Sequence, residues 1–164
     1  MIIKVSGIIL VFLASTFTGV YLSTRFKKRI QILESINEII ISIKIMIESQ
    51  SLTIDELFSS LANHNKLDEF FIPKEAFLCH DYKRHIKAEC ENNIFLKEED
   101  KRLFTGFINE LGTAYLDGQI SIINGYIKQF ENIIIKLKSE QNTKCRMYNS
   151  FGVLIGAFIS IILS

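Results

Sequence analysis

The sequence contains no tryptophan, a single proline (Pro73) and three cysteines (Cys79, Cys90 and Cys145) in 164 residues. One proline leaves long stretches free of the residue that breaks a helix interior. An odd number of cysteines without framework spacing argues against a disulfide-stapled fold and fits free thiols in a reducing compartment. A charge excess is missing too, with 19 Lys and Arg against 18 Asp and Glu, net +1. Binding a nucleic-acid backbone needs a strongly basic surface, so a nucleic-acid partner is not expected. There is no glycine-rich phosphate loop, no nucleophile motif and no isolated carboxylate pair placed for acid–base work. Cys79, His80, His85 and Cys90 come nearest to a metal set, but the pairs His80/His85 and His85/Cys90 are five apart. Helical ligands on one face are three or four apart, so that spacing is poor for zinc. No metal, cofactor, small-molecule substrate or catalysis is expected.

What is present is organised around residues 115–164. Leu116, Ile120, Ile123, Ile127, Phe130, Ile134 and Leu137 recur at steps of four and three, which keeps one apolar seam on a helix. A basic collar follows (Lys136, Lys138, Lys144, Arg146), then the uncharged residues 151–164. The spacing predicts one helix that leaves an apolar bundle and enters a membrane. Residues 151–163 alone reach roughly 20 Å, and including 147–150 brings the run nearer to spanning. A hairpin that only dips into the bilayer and a buried terminal helix are the alternatives. Gly152, Gly156 and Ser160 place small residues on one stripe, and Ser15 with Gly19 offers a mate for close membrane-helix packing.

Near the amino end, residues 5–22 hold about 18 positions without a charge, roughly 27 Å of helix. Arg25, Lys27, Lys28 and Arg29 follow at once. A cleaved signal peptide fits less well, because the run is long, A-x-A spacing is missing and the basic cluster lies on the wrong side. Lys and Arg flanking both runs on the inner side, Lys144 and Arg146 among them, point the middle of the chain to the cytoplasm and both termini outside. The expected organisation is an N-terminal transmembrane anchor (1–24), a cytoplasmic helical bundle (25–146) and a C-terminal transmembrane segment (147–164). The fold class is all-α, an antiparallel bundle of about five or six helices between two transmembrane helices.

Within the bundle, Ile30, Leu33, Ile36, Ile40, Ile43 and Ile47 step by three and four over residues 23–49. Thr53 and Glu56 form a plausible capping box for a short helix to about Ala62, residues 63–65 read as a turn, and Pro73 suits a helix start. That helix runs to about Glu91. The next occupies 96–111, with Glu98, Glu99 and Asp100 in its first turn, where the helix dipole favours anions. Gly112 is placed to stop it. The acidic triplet reads first as a solvated helix start; contact with a basic partner is the alternative.

Taken together, the chain resembles the stage III sporulation protein AB family over nearly its whole length. The likeness lies in residues 7–10 and 14–16, Gln31-Ile32-Leu33, Ser51-Leu52 with Asp55-Glu56-Leu57, and residues 96–100. It continues in Leu111-Gly112 with Gln119 seven beyond the glycine, and in Tyr148, Gly152-Val153-Leu154 and Gly156. Lys44-Ile45-Met46-Ile47, Ser51 and Ala114-Tyr115 depart from the family's pattern. The resemblance implies a mother-cell membrane protein of the channel complex between mother cell and forespore. Its cytoplasmic domain would be similar to those of type II secretion and type IV pilus platform proteins. Implied partners are the sporulation ATPase, stage III sporulation protein AA, and other membrane components of the channel. The expected function is a non-enzymatic membrane platform that presents its helical domain to that ATPase, with Glu98, Glu99, Asp100, Gly112 and Gln119 as contacts. A membrane-anchored sensor or regulatory bundle is the rival reading, and a scaffold held to lipid by Arg25–Arg29 alone a weaker one.

Overall fold

A computed structural model describes residues 2–50, 56, 57, 60, 82–113 and 115–163. Within those helices the side chains at 2–6, 8, 50, 82, 116, 160 and 163 lie outside the described set. The described elements are α1 (Ile2–Gln50), α2 (Tyr82–Asn92), α3 (Glu98–Glu110) and α4 (Leu116–Leu163). No strand occurs among the described residues. Both long helices lack an internal proline, and each carries a seam of large aliphatic residues at helical spacing. The capping box at Thr53, the turn at 63–65, the Pro73 helix start, Cys79 and His80 lie outside the described residues.

The chain divides into two compact units. One joins Met1–Ile30 to Lys136–Ser164; the other is Gln31–Ile135. The terminal stretches therefore belong to one unit, and the divisions fall at 30/31 and 135/136, inside the 25–146 span expected for the bundle. In the second unit the α1 seam is buried at Leu33, Ile36, Ile40, Ile43 and Ile47, joined by Ile39. Ile45 is 57% exposed, because a helix with isoleucines around so much of its circumference cannot bury them all on one face. Ile86 and Cys90 of α2, Phe104, Phe107 and Ile108 of α3, and Ile123, Phe130 and Ile134 of α4 are buried in the same unit, as are Leu57, Leu96 and Leu111. Phe107 meets Tyr126 edge-on, with ring centroids 5.4 Å apart.

The α2–α3 connection is short because Asn93 organises it. Its Oδ1 accepts from the backbone N–H of Phe95 at 2.9 Å and of Leu96 at 3.1 Å. Asparagine favours such a turn because its side chain mimics a backbone acceptor. At the other end of α3, Gly112 takes a φ of 85°, the left-handed conformation that only glycine adopts without strain.

Among the described residues no helix is long and apolar enough to cross a membrane. The two expected spans include positions outside the described side chains: 5, 6 and 8 in the first, and 160, 163 and 164 in the second.

Candidate functional site

In the terminal unit, α1 and α4 pack as an antiparallel pair through small residues. A Cβ added at Gly19 would lie 2.6 Å from the Tyr148 carbonyl oxygen and 3.1 Å from the Gly152 Cα. One added at Gly152 would lie 3.0 Å from the Ser15 carbonyl oxygen. At Gly156 the neighbours are Phe12 and Ser15, at 3.1 and 3.2 Å. The Ser15 hydroxyl donates to the Gly152 carbonyl at 2.6 Å. Ser15, Gly19, Gly152 and Gly156 are thus brought together, and backbone approaches backbone because no side chain intervenes. The side chain of Ser160 lies outside the described set.

Away from this seam the pair is apolar. Ile9, Leu10, Leu13 and Phe17 of α1, and Phe151, Leu154, Phe158, Ile161 and Ile162 of α4, are all more than half exposed. The threonine hydroxyls of α1 are satisfied within the protein. Thr16, Thr18 and Thr24 donate to the carbonyls of Phe12, Ala14 and Val20, four residues back. An apolar solvent requires such internal satisfaction; water does not.

The apolar character stops at the same level on both helices. Leu22 is the last large exposed apolar residue of this stretch on α1, and Met147 is the first of it on α4. Cys145 Sγ lies 3.9 Å from the Ser23 carbonyl, a contact that sets the two boundaries side by side. The basic collar begins there. Lys27, Lys28 and Arg146 are exposed, Arg25 is half-buried and Arg29 is 8% exposed. Lys144 bridges the pair: its Nζ sits 5.3 Å from the Phe26 ring centroid on α1 and 2.7 Å from Glu140 on α4.

In the second unit the expected contact residues separate by burial. Glu98 and Glu99 are exposed, and Glu98 pairs with Lys101 Nζ at 3.1 Å. Asp100 is 1% exposed, and its Oδ2 accepts from the Lys97 N–H at 2.9 Å. It closes the start of α3, so it is removed from the exposed contact set. Gln119 is likewise removed. It is 5% exposed, and its Oε1 accepts from the Gly112 N–H at 2.8 Å, tying the start of α4 to the end of α3. The same corner is braced by Lys83, whose Nζ donates to the Leu111 carbonyl at 2.9 Å. Gly112 is exposed. Tyr115, absent from the expected contacts, is 96% exposed beside it.

Cys90 is fully buried beneath α3, and burial pushes its thiol up to about 11. Burial, together with a hydrogen bond to Glu110, pushes the Tyr126 phenol up to about 12. His85 is exposed on α2. Among the described residues no group of His, Cys, Asp and Glu is placed to hold a metal ion. An open groove of about 420 Å³ on α3 is lined by charges of both signs, including Glu91, Glu98, Lys101 and Arg102.

Compared with known proteins, residues 4–164 match the family model described as stage III sporulation protein AB. No curated protein and no solved structure matches the chain.

Proposed function

Because the chain belongs to the stage III sporulation protein AB family, we propose that it acts in endospore formation as a non-enzymatic membrane platform. The α1–α4 pair of the terminal unit anchors the chain in the bilayer, and the second unit presents a cytoplasmic helical surface to an ATPase. The observation that carries the anchoring is the shared level at which exposed apolar residues give way to basic ones on both helices. Exposed apolar surface on two packed helices is costly in water and neutral in lipid. A basic collar at its edge matches the cytoplasmic side of a membrane. Supporting the partner role, Glu98 and Glu99 stand exposed at the start of α3 while Gly112 and Tyr115 mark its far end. The partner in this reading is the sporulation ATPase of the same operon, within the channel complex joining mother cell and forespore.

The test is binding of the detergent-purified full chain to the purified ATPase. Saturable binding that weakens when Glu98 and Glu99 are changed to Lys supports the reading. No association, with nucleotide and membrane both supplied, contradicts the ATPase assignment.

A further inference from the structure

The near-zero net charge of the chain conceals a partition that follows its two units. The terminal unit, Met1–Ile30 with Lys136–Ser164, carries nine Lys and Arg against one acid, Glu140, net +8. The second unit, Gln31–Ile135, carries ten basic residues against seventeen acidic, net −7. No Asp or Glu precedes Glu34 and none follows Glu140. Eight of the nine basic residues lie in 25–29 and 136–146, with Arg25, Lys144 and Arg146 within three residues of the exposed apolar stretch; Lys4 is the exception. The single acid is held against Lys144 at 2.7 Å. Orientation across a membrane requires a positive bias, but it does not require the near-exclusion of acids from both flanks.

We propose that this collar is a binding surface for anionic lipid headgroups, with Lys27, Lys28 and Arg146 as the principal exposed cations. The inference rests on the anchored reading above and goes beyond it, naming the lipid chemistry that the anchor selects. Arg146 is adjacent to the exposed Met147, and Lys27 and Lys28 lie within two turns of the exposed Leu22. Cations so close to the apolar boundary sit where a lipid phosphate is when its acyl chains lie along the pair. An anionic leaflet attracts the terminal unit and repels the acidic second unit.

The experiment is electron paramagnetic resonance of spin-labelled lipids around the full chain reconstituted in phosphatidylcholine vesicles. It compares the association of spin-labelled phosphatidylglycerol with that of spin-labelled phosphatidylcholine. The expected result is a preference for phosphatidylglycerol at low salt on the order of fivefold, the effect of one well-placed basic residue at an anionic surface. That preference falls towards unity at high salt and in the triple variant Lys27→Gln, Lys28→Gln, Arg146→Gln. A motionally restricted lipid fraction with no headgroup preference overturns the proposal and leaves the anchored reading intact. A preference undiminished by salt and by the triple variant also overturns it. Absence of any restricted fraction, with either lipid, removes the anchored reading itself.

Discussion

Of the glycines at the α1–α4 seam, Gly19 leaves the least room for a side chain. The atom nearest an added Cβ is a backbone carbonyl oxygen 2.6 Å away, which cannot swing aside as the end of a side chain does. Gly19→Ala is therefore expected to force α1 and α4 apart and lower the melting temperature of the detergent-solubilised full chain. Gly7 has nothing within 4 Å of an added Cβ. Gly7→Ala is expected to leave that temperature unchanged or slightly raised, since alanine is about 1 kcal/mol better in a helix. Equal effects from the two substitutions would mean the pair does not pack through Gly19. The stripe Gly152, Gly156 and its mate Ser15, Gly19 was legible because small residues at spacing four share a helix face. The hydroxyl bond from Ser15 to Gly152 was not legible, since it depends on the register between the two helices. Cys90 gives a second expectation at this scale. Its folded-state pKa of about 11 lies above the ordinary 9, so the folded state holds the proton more tightly between those values. The corresponding stability is complete below pH 9 and is lost as pH rises through 11. Alkylation of the native chain at pH 8 should spare Cys90 and become rapid on unfolding; equal rates in both states would show an accessible thiol.

At the scale of elements, the α1 seam is visible in the sequence through its period of 3.6, and four of the seven α4 seam positions, Ile123, Phe130, Ile134 and Leu137, are buried. Ile30, Leu33, Ile36, Ile40, Ile43 and Ile47 are all buried. Helix ends were less legible, because a cap depends on backbone geometry that the pattern of apolar residues does not encode. Asp100 and Gln119 look like exposed polar residues in sequence, yet each spends its side chain on a backbone N–H at the start or end of α3. This divides the acidic triplet into one structural and two exposed members. Asp100→Ala is expected to cost about 1 kcal/mol in the stability of the full chain, the usual loss on removing a capping group. Changing Glu98 and Glu99 to Lys is expected to lower stability by less than Asp100→Ala, through the lost helix-dipole and Lys101 interactions of exposed side chains, while weakening the proposed binding to the ATPase. Chemical denaturation and binding on the same preparations separate the two effects. A stability loss from the Glu98 and Glu99 changes as large as that from Asp100→Ala would make all three structural. The lining of the α3 groove also changes with Glu98→Lys, so circular dichroism of each variant accompanies the comparison.

For the whole molecule, composition misleads where distribution informs. A net charge of +1 suggests an electrostatically neutral protein, but the terminal unit carries +8 and the remainder −7. The same terminal unit exposes large apolar residues on both of its helices and satisfies the threonine hydroxyls of α1 internally. These features fit one solvent for that unit and another for the acidic one. The sequence made the apolar runs legible; their alignment at Ser23 and Cys145 required the fold. The central claim of the proposed function is that the terminal-unit parts of α1 and α4 lie in lipid while the second unit lies in water. Its most direct test places a nitroxide at Leu13, 61% exposed on α1, and separately at Lys128, exposed on α4 in the second unit. Collision with oxygen, which concentrates in lipid, is compared with collision with a water-soluble nickel chelate in vesicles holding the full chain. The account predicts that Leu13 is oxygen-accessible and nickel-protected, with the reverse at Lys128. Nickel accessibility at Leu13 equal to that at Lys128 would contradict it.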